Sequence, residues 1–206
     1  MPEYVKAGCE VLQSTPEPLL LIERVGRVCY KSEAGIGPGT AEAFVRMLLA
    51  RRHEAMVECV SATVKFTVDR GVSHELVRHR LCSFAQESTR YCNYGGKGVK
   101  LVHPPGLSQA QLDRREQHFW ATQALYDAEV AEGVRPEIAR GVLPTCLKTE
   151  IIVTANAREW RHVMRLRSAK AAHPQMREVM NLLLPKLQRL FPALFDEFEV
   201  TDAQSD

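Results

Sequence analysis

The segment RHRLCSFAQESTR, residues 78–90, concentrates side chains that can hold an anion. It contains three arginines, a histidine and two serines: Arg78, His79, Arg80, Ser83, Ser88 and Arg90. Guanidinium groups present a fixed fork of donors that suits phosphates and carboxylates, and hydroxyl groups complete such a cradle. Three basic residues in a row are also typical of a solvated helix end, but Phe84 and Tyr91 are untypical of one. The pattern therefore favours an anion-binding site.

A second basic cluster lies on the helix predicted after Asn156. Arg158, Arg161, His162 and Arg165 have the spacing of one helix face, which leaves a basic surface stripe open as an alternative to a binding site. Arg167 lies off that face, beside the apolar face that carries Trp160 and Met164. An arginine directed inward must be paired or must bind an anion, so we expect Arg167 to belong to the site.

The sequence predicts no metal site. His53 and Glu58 flank the start of a predicted strand, where a lone histidine is more often structural. The stretches HEAMV and HELVR both lack the second histidine of the HExxH zinc pattern. The six cysteines form no CxxC pair, so we expect free, buried thiols.

Composition excludes several classes of protein. The chain has 206 residues, a net charge of +2 and 45% hydrophobic residues, values typical of a soluble domain. This charge is too small to indicate a nucleic-acid or membrane partner. The first residues lack the apolar run of a signal peptide, and no stretch is long and apolar enough for a membrane span. We expect a cytoplasmic protein and a single domain over residues 1–206.

Hydrophobic periodicity predicts a mixed fold of helices and strands. Residues 60–68 alternate as a half-buried strand does, which favours an antiparallel or mixed sheet, and residues 149–156 are a second strand candidate. Residues 94–106 are predicted to form a surface loop and residues 201–206 a frayed end. Helices are predicted over residues 16–30, from a cap at Thr40, from a cap at Ser73, from a capping box of Ser108 and Gln111, and over residues 136–144, 156–172 and 174–191. The fold class is α/β or α+β.

Residues 78–90, the signature segment, resemble the sequence signature of flavin-dependent thymidylate synthases. The pattern RHRxxSxxxxSxR of that family is filled at every fixed position by the six residues named first. His53 and Glu58 match its H-x-x-x-x-E, and Arg140 precedes VLP as an arginine precedes LP in the family. NAREWRHVMRLR and AAHPQMR resemble its C-terminal helices. The resemblance covers residues 16–195 and implies a thymidylate synthase-complementing fold, with a mostly antiparallel central sheet flanked by helices.

The resemblance also implies a reaction. Members convert dUMP to dTMP by reductive methylation at C5, with methylenetetrahydrofolate as the carbon donor and tightly bound FAD, reduced by NADPH, as the hydride carrier. They are homotetramers with active sites at subunit interfaces, and anionic ligands would there neutralise the clustered arginines.

Residue roles follow from the matched positions. The FAD-binding residues would be His53, Glu58, Arg78, His79, Arg80, Gln86, Asn156, Arg158 and His162. The dUMP-binding residues would be Glu75, Arg78, Gln86, Glu87, Ser88, Thr89, Arg90, Arg140 and Arg167. Arg167 would act catalytically by stabilising the ionised N3 of the uracil, since a fixed cation stabilises a developing anion. Ser88 is assigned to binding and not to nucleophilic attack.

Two other interpretations remain open. A member of the family without catalysis could bind nucleotides as a sensor. A nucleic-acid-binding module could use the basic face from Arg158 to Arg165, although the net charge of +2 argues against it.

Overall fold

The central element is a four-stranded antiparallel sheet. A computed structural model describes residues 3–200 of the chain. Within them the sheet has the strand order β2-β3-β6-β4. A short parallel pair, β1 with β5, lies apart from it. The strands are β1 (Glu3–Val5), β2 (Gly8–Ser14), β3 (Ser61–Asp69), β4 (Ser83–Gln86), β5 (Lys100–Val102) and β6 (Lys148–Asn156).

Helices pack against this sheet, as expected for a mostly antiparallel central sheet flanked by helices. Short 3₁₀ turns occur at Glu33–Gly35, Glu54–Cys59 and Arg140–Val142. The α-helices are α1 (Pro18–Val28), α2 (Thr40–Ala50), α3 (Arg70–Leu76), α4 (Gln109–Ala131), α5 (Pro136–Ala139), α6 (Ala157–Arg167) and α7 (Pro174–Leu190).

Alternation along β3 and β6 builds the core. Every second residue of each strand is buried, because successive side chains of a strand point to opposite faces. Helices α6 and α7 pack on the buried face. The Trp160 ring lies 6.2 Å from the ring of Phe66, and its Nε1 donates to the Ala62 carbonyl at 3.0 Å. This contact fixes α6 over the middle of β3.

Several strands of the protein have no recognisable pattern in the sequence. Strands β1, β2, β4 and β5 were not predicted, and β5 lies in residues 94–106, which were predicted to be a surface loop. That loop prediction is wrong for Val99, Leu101 and Val102, which are buried. Three-residue strands carry too little alternation to be recognised among glycines and prolines.

Two predicted helix caps are wrong, and one is confirmed. Helix α3 is capped by Asp69, whose carboxylate accepts from the Val72 N–H at 2.7 Å, and not by Ser73. Gly39, in the left-handed region at φ 77°, precedes α2, so Thr40 is its first residue and not its cap. Ser108 and Gln111 form the predicted capping box of α4.

Strand β6 also anchors the segment after β4 through Glu87. The Glu87 carboxylate accepts from the Tyr94 hydroxyl at 2.6 Å, from Lys148 Nζ at 3.2 Å and from the Glu150 N–H at 3.2 Å. Burial alone would raise the pKa of Glu87, but the hydrogen bonds from Tyr94, Lys148 and Glu150 outweigh it, and the pKa lies below its usual range. The ionised Glu87 carboxylate therefore fixes the signature segment to the sheet through its hydrogen bonds to β6.

Some predictions concern the chain ends, the thiols and the membrane. The frayed end at residues 201–206 lies outside the described residues, and the single domain over residues 1–206 stays a prediction. The six cysteines are free, as predicted, but only Cys82 is buried. Cys29 and Cys59 are exposed.

None of the helices within residues 3–200 combines the length and the apolar character needed to cross a bilayer.

Replacing Tyr94 with Phe is expected to lower the free energy of unfolding by about 1–3 kcal/mol at pH 7, because a partly buried carboxylate loses a donor. The folded protein stabilises the ionised form of Glu87. The contribution of this residue to the free energy of unfolding is therefore present above the pKa that Glu87 has in the unfolded chain, and it is lost as the pH falls through the lower pKa of the folded state. The difference between wild type and Tyr94→Phe should therefore shrink below about pH 4.

Urea unfolding at pH 7 and pH 3 measures this difference. Tyr30→Phe, at a tyrosine that is 65% exposed, is the matched control and should change stability by less than about 0.5 kcal/mol. Equal effects of the two substitutions at pH 7 would contradict the anchor role of Glu87.

Candidate functional site

The C-terminal end of α6 meets the C-terminal end of α3 through Arg167. Its Nε donates to His79 Nε2 at 2.9 Å, one terminal nitrogen donates to Glu75 Oε2 at 3.0 Å, and the other donates to the Glu75 carbonyl at 2.8 Å. The Arg167 side chain is 19% exposed. The predicted inward direction of Arg167 is thus observed, and its guanidinium retains one further N–H on each terminal nitrogen.

His79 is a neutral histidine held between polar groups. It is 5% exposed, and its ring lies 5.7 Å from that of His162. Burial, together with the nearby Arg167 and His162, lowers the pKa of His79 to about 4. Because the Arg167 Nε–H can only donate, His79 Nε2 must accept, and the ring proton lies on Nδ1. Glu159 Oε1 lies 3.5 Å from that Nδ1.

A cleft of about 550 Å³ lies beside the first turn of α6. Four of the residues predicted to bind FAD line it: Glu58, Asn156, Arg158 and His162. Arg158 forms ion pairs with Glu58 and Glu54 across the cleft, and the Asn156 side chain caps α6 by accepting from the Glu159 N–H at 2.8 Å. His53 is exposed and does not line the cleft.

The cleft carries charged groups of both signs. Arg158, Arg165 and His162 line it together with the carboxylates of Glu54, Glu58 and Glu159. Arg78 and Arg80 are exposed, and neither guanidinium has a hydrogen-bond or ion-pair partner within residues 3–200. Neither side chain lines the cleft, but Leu81, the residue after Arg80, does. Unpaired guanidinium groups suit an anionic ligand such as a phosphate.

The predicted nucleotide-binding residues form a second group along β4 and the turn after it. Arg140 donates to the Thr89 hydroxyl at 3.1 Å, which joins the turn before β6 to the signature segment. A terminal nitrogen of the Arg90 guanidinium lies 3.8 Å from a carboxylate oxygen of Glu137, and the backbone N–H of Arg90 donates to the Ser88 hydroxyl at 3.3 Å. The structure therefore brings Ser88, Thr89, Arg90 and Arg140 together.

Two of the predicted contacts point into the protein. Gln86 donates to the Ser73 hydroxyl at 2.8 Å and to the Thr149 hydroxyl at 3.2 Å. The Glu87 carboxylate accepts hydrogen bonds from Tyr94, Lys148 and the Glu150 N–H. The ligand-binding roles of both residues stay predictions, and their observed contacts hold the backbone of the signature segment in place.

The second basic cluster is not a continuous surface stripe. Arg161 is 4% exposed, and it donates to the Leu194 carbonyl and pairs with Glu197 at 2.9 Å. It thus ties the segment after α7 to α6. Arg158, His162 and Arg165 are exposed. The sequence spacing placed these residues on one face, but it did not indicate that the protein covers the middle of that face.

Glu159 was not recognised from the sequence. A glutamate three residues after an asparagine cap is typical of a helix start, and nothing nearby in sequence pointed to His79. His79, Glu159 and His162 have ligand atoms within 4.8 Å of one another, the spacing of a possible metal site. Arg167 already donates to His79 Nε2, and the positive charge of its guanidinium would repel a metal ion bound at this position. The absence of a metal stays a prediction.

Comparison with known proteins gives a consistent family. Residues 10–193 match the family model described as thymidylate synthase complementing protein. The chain is 33% identical over 194 residues to a flavin-dependent thymidylate synthase of Geobacter sulfurreducens, covering 90% of this chain and 84% of that one. A protein of the same name from Corynebacterium aurimucosum is 32% identical, covering 93% and 84%.

Solved structures share the fold. A UMP/dUMP methylase of Streptomyces cacaoi, PolB, bound with 5-bromo-dUMP, has a TM-score of 0.79 at 22% identity, covering 95% of this chain and 96% of that one. Thymidylate synthase X of Helicobacter pylori, with FAD and dUMP, has a TM-score of 0.72 at 20% identity, covering 93% and 100%. The expected thymidylate synthase-complementing fold is confirmed, and the chain belongs to the family of flavin-dependent thymidylate synthases.

Proposed function

We propose that this protein converts dUMP to dTMP by reductive methylation at C5. The carbon donor is methylenetetrahydrofolate, and NADPH is the reductant. Family membership supports the reaction, and the names of the relatives support dependence on a flavin. When bound, FAD supplies the hydride chemistry that amino-acid side chains cannot provide.

The observation that carries this proposal is the clamp on Arg167. Three hydrogen bonds that Arg167 donates to His79 and Glu75 fix its guanidinium between the end of α3, just before the signature segment, and the end of α6. A fixed cation beside a uracil stabilises negative charge at N3 without reorganisation, which activates C5.

The remaining basic residues divide between two anions. Arg90 and Arg140, with the hydroxyls of Ser88 and Thr89, are suited to the phosphate of dUMP. Arg78, Arg80 and Arg158 are suited to the pyrophosphate of FAD. Ser88 binds and does not attack, since its hydroxyl accepts from the Arg90 N–H and has no general base within hydrogen-bond reach among the described residues.

The exposed apolar side chains next to the site support assembly into a homotetramer. Leu81 and Tyr91 are each 79% exposed, and both flank signature residues. Large apolar side chains in such positions are typical of subunit interfaces. The FAD cleft opens next to Leu81, so further copies of the chain would complete it. The cytoplasmic location and the absence of nucleic-acid and membrane partners stay predictions.

Product formation separates this proposal from a non-catalytic nucleotide sensor. The purified, FAD-loaded protein should convert dUMP to dTMP in the presence of NADPH and methylenetetrahydrofolate, as measured by chromatography. UMP should be assayed in parallel, because a structure that shares the fold is bound with 5-bromo-UMP. Nucleotide binding without dTMP would support the sensor, and methylation of UMP alone would make the substrate a ribonucleotide.

Arg167→Lys should lower kcat/KM for dUMP by about 10²- to 10³-fold, because an ammonium group cannot keep the fork of three hydrogen bonds. Flavin absorbance of the purified variant should stay unchanged. Arg114→Lys, on the exposed face of α4, is the matched control. A loss of less than threefold in Arg167→Lys would remove Arg167 from the catalytic role.

A further inference from the structure

Glu159 is a buried carboxylate that the reaction as described does not use. Its side chain is 7% exposed, lies beside His79 in the first turn of α6, and lines the cleft proposed for FAD. Among residues 3–200, its Oε1 is the charged acceptor nearest to His79 Nδ1, at 3.5 Å. That distance is long for a hydrogen bond, but a charge so close still favours a proton on the facing nitrogen.

The tautomer of His79 links Glu159 to Arg167. Arginine has only donors, so the 2.9 Å contact from Arg167 Nε requires a lone pair on His79 Nε2. The proton must then be on Nδ1, which faces the carboxylate of Glu159. In the opposite tautomer an N–H would face the Arg167 N–H, and a lone pair would face the carboxylate. Both neighbours thus select the same tautomer.

We propose that Glu159 is a positioning residue for the reaction. It keeps His79 in the Nδ1–H form, so that His79 accepts from Arg167 and holds the guanidinium toward the nucleotide. The role rests on the proposed function and resembles the second partner that orients histidines in many active sites.

Other roles for Glu159 make different predictions. A carboxylate in the first turn also stabilises a helix through its dipole, and this effect would not depend on Arg167. The triad of His79, Glu159 and His162 could hold a metal ion only if His79 released Arg167. The test must therefore separate an effect that acts through Arg167 from a general one.

A double-mutant cycle makes this separation. Glu159→Leu should lower kcat/KM for dUMP about tenfold in the wild-type background and less than twofold in the Arg167→Lys background, because its effect passes through Arg167. Glu159→Asp, which keeps the charge but draws it back from the ring, should fall between wild type and Leu and serves if the Leu variant does not fold. Glu42→Leu, which removes an exposed carboxylate that pairs with Arg46 on α2, is the control and should leave kcat/KM unchanged.

The protonated nitrogen of His79 gives a readout that does not need activity. Solid-state ¹⁵N NMR of histidine-labelled protein, assigned with His79→Asn, should show the proton on Nδ1 in wild type and a shift toward Nε2–H in Glu159→Leu. An unchanged tautomer, or an equal loss in both backgrounds, overturns the role of Glu159. A wild-type protein that makes no dTMP but keeps the Nδ1–H form would instead overturn the proposed function alone.

Discussion

The site depends on one constraint, which is that a poorly exposed guanidinium must be paired. Arg167 stands at the end of an amphipathic helix whose other face is packed on the sheet, so its charge cannot reach bulk water freely. Glu75 and His79, at and just after the end of α3, accept hydrogen bonds from this guanidinium. This pairing joins two segments 88 residues apart in sequence and sets where the uracil would lie.

Strand β6 supplies the geometry on which this pairing relies. At one end it contacts Glu87 and thereby orders the signature segment after β4. At the other end it leads directly into α6, whose first turn borders the cleft and whose last residue is Arg167. A single strand in the centre of the sheet therefore sets the distance between the groups proposed for the nucleotide and those proposed for the flavin.

Periodic features of the fold could be predicted from the sequence, and features that depend on long-range contacts could not. The alternation in β3, the strand candidate at β6 and the capping box of α4 were readable because they involve neighbouring residues. The short strands β4 and β5 were missed because only their pairing or burial defines them. The cap of α3 was assigned one turn too late because serine and aspartate are both common caps.

The same distinction applies to the site. Residue types predicted an anion site at the signature segment and an inward-directed Arg167, and the family pattern supplied their predicted roles; the structure brings Arg167 and His79 into contact. Glu159 and Lys148 were missed, since their functions come from His79 and Glu87, partners far away in sequence. The burial of Arg161 was missed for the same reason, because residues 194 and 197 cover it.

The central claim is that this arginine-lined site holds a flavin beside a nucleotide. The visible absorption spectrum of the purified protein, recorded without oxygen before and after addition of NADPH and dUMP, tests it most directly. The account predicts an oxidised-flavin spectrum that bleaches. A protein that takes up no flavin, even from added FAD, would contradict it.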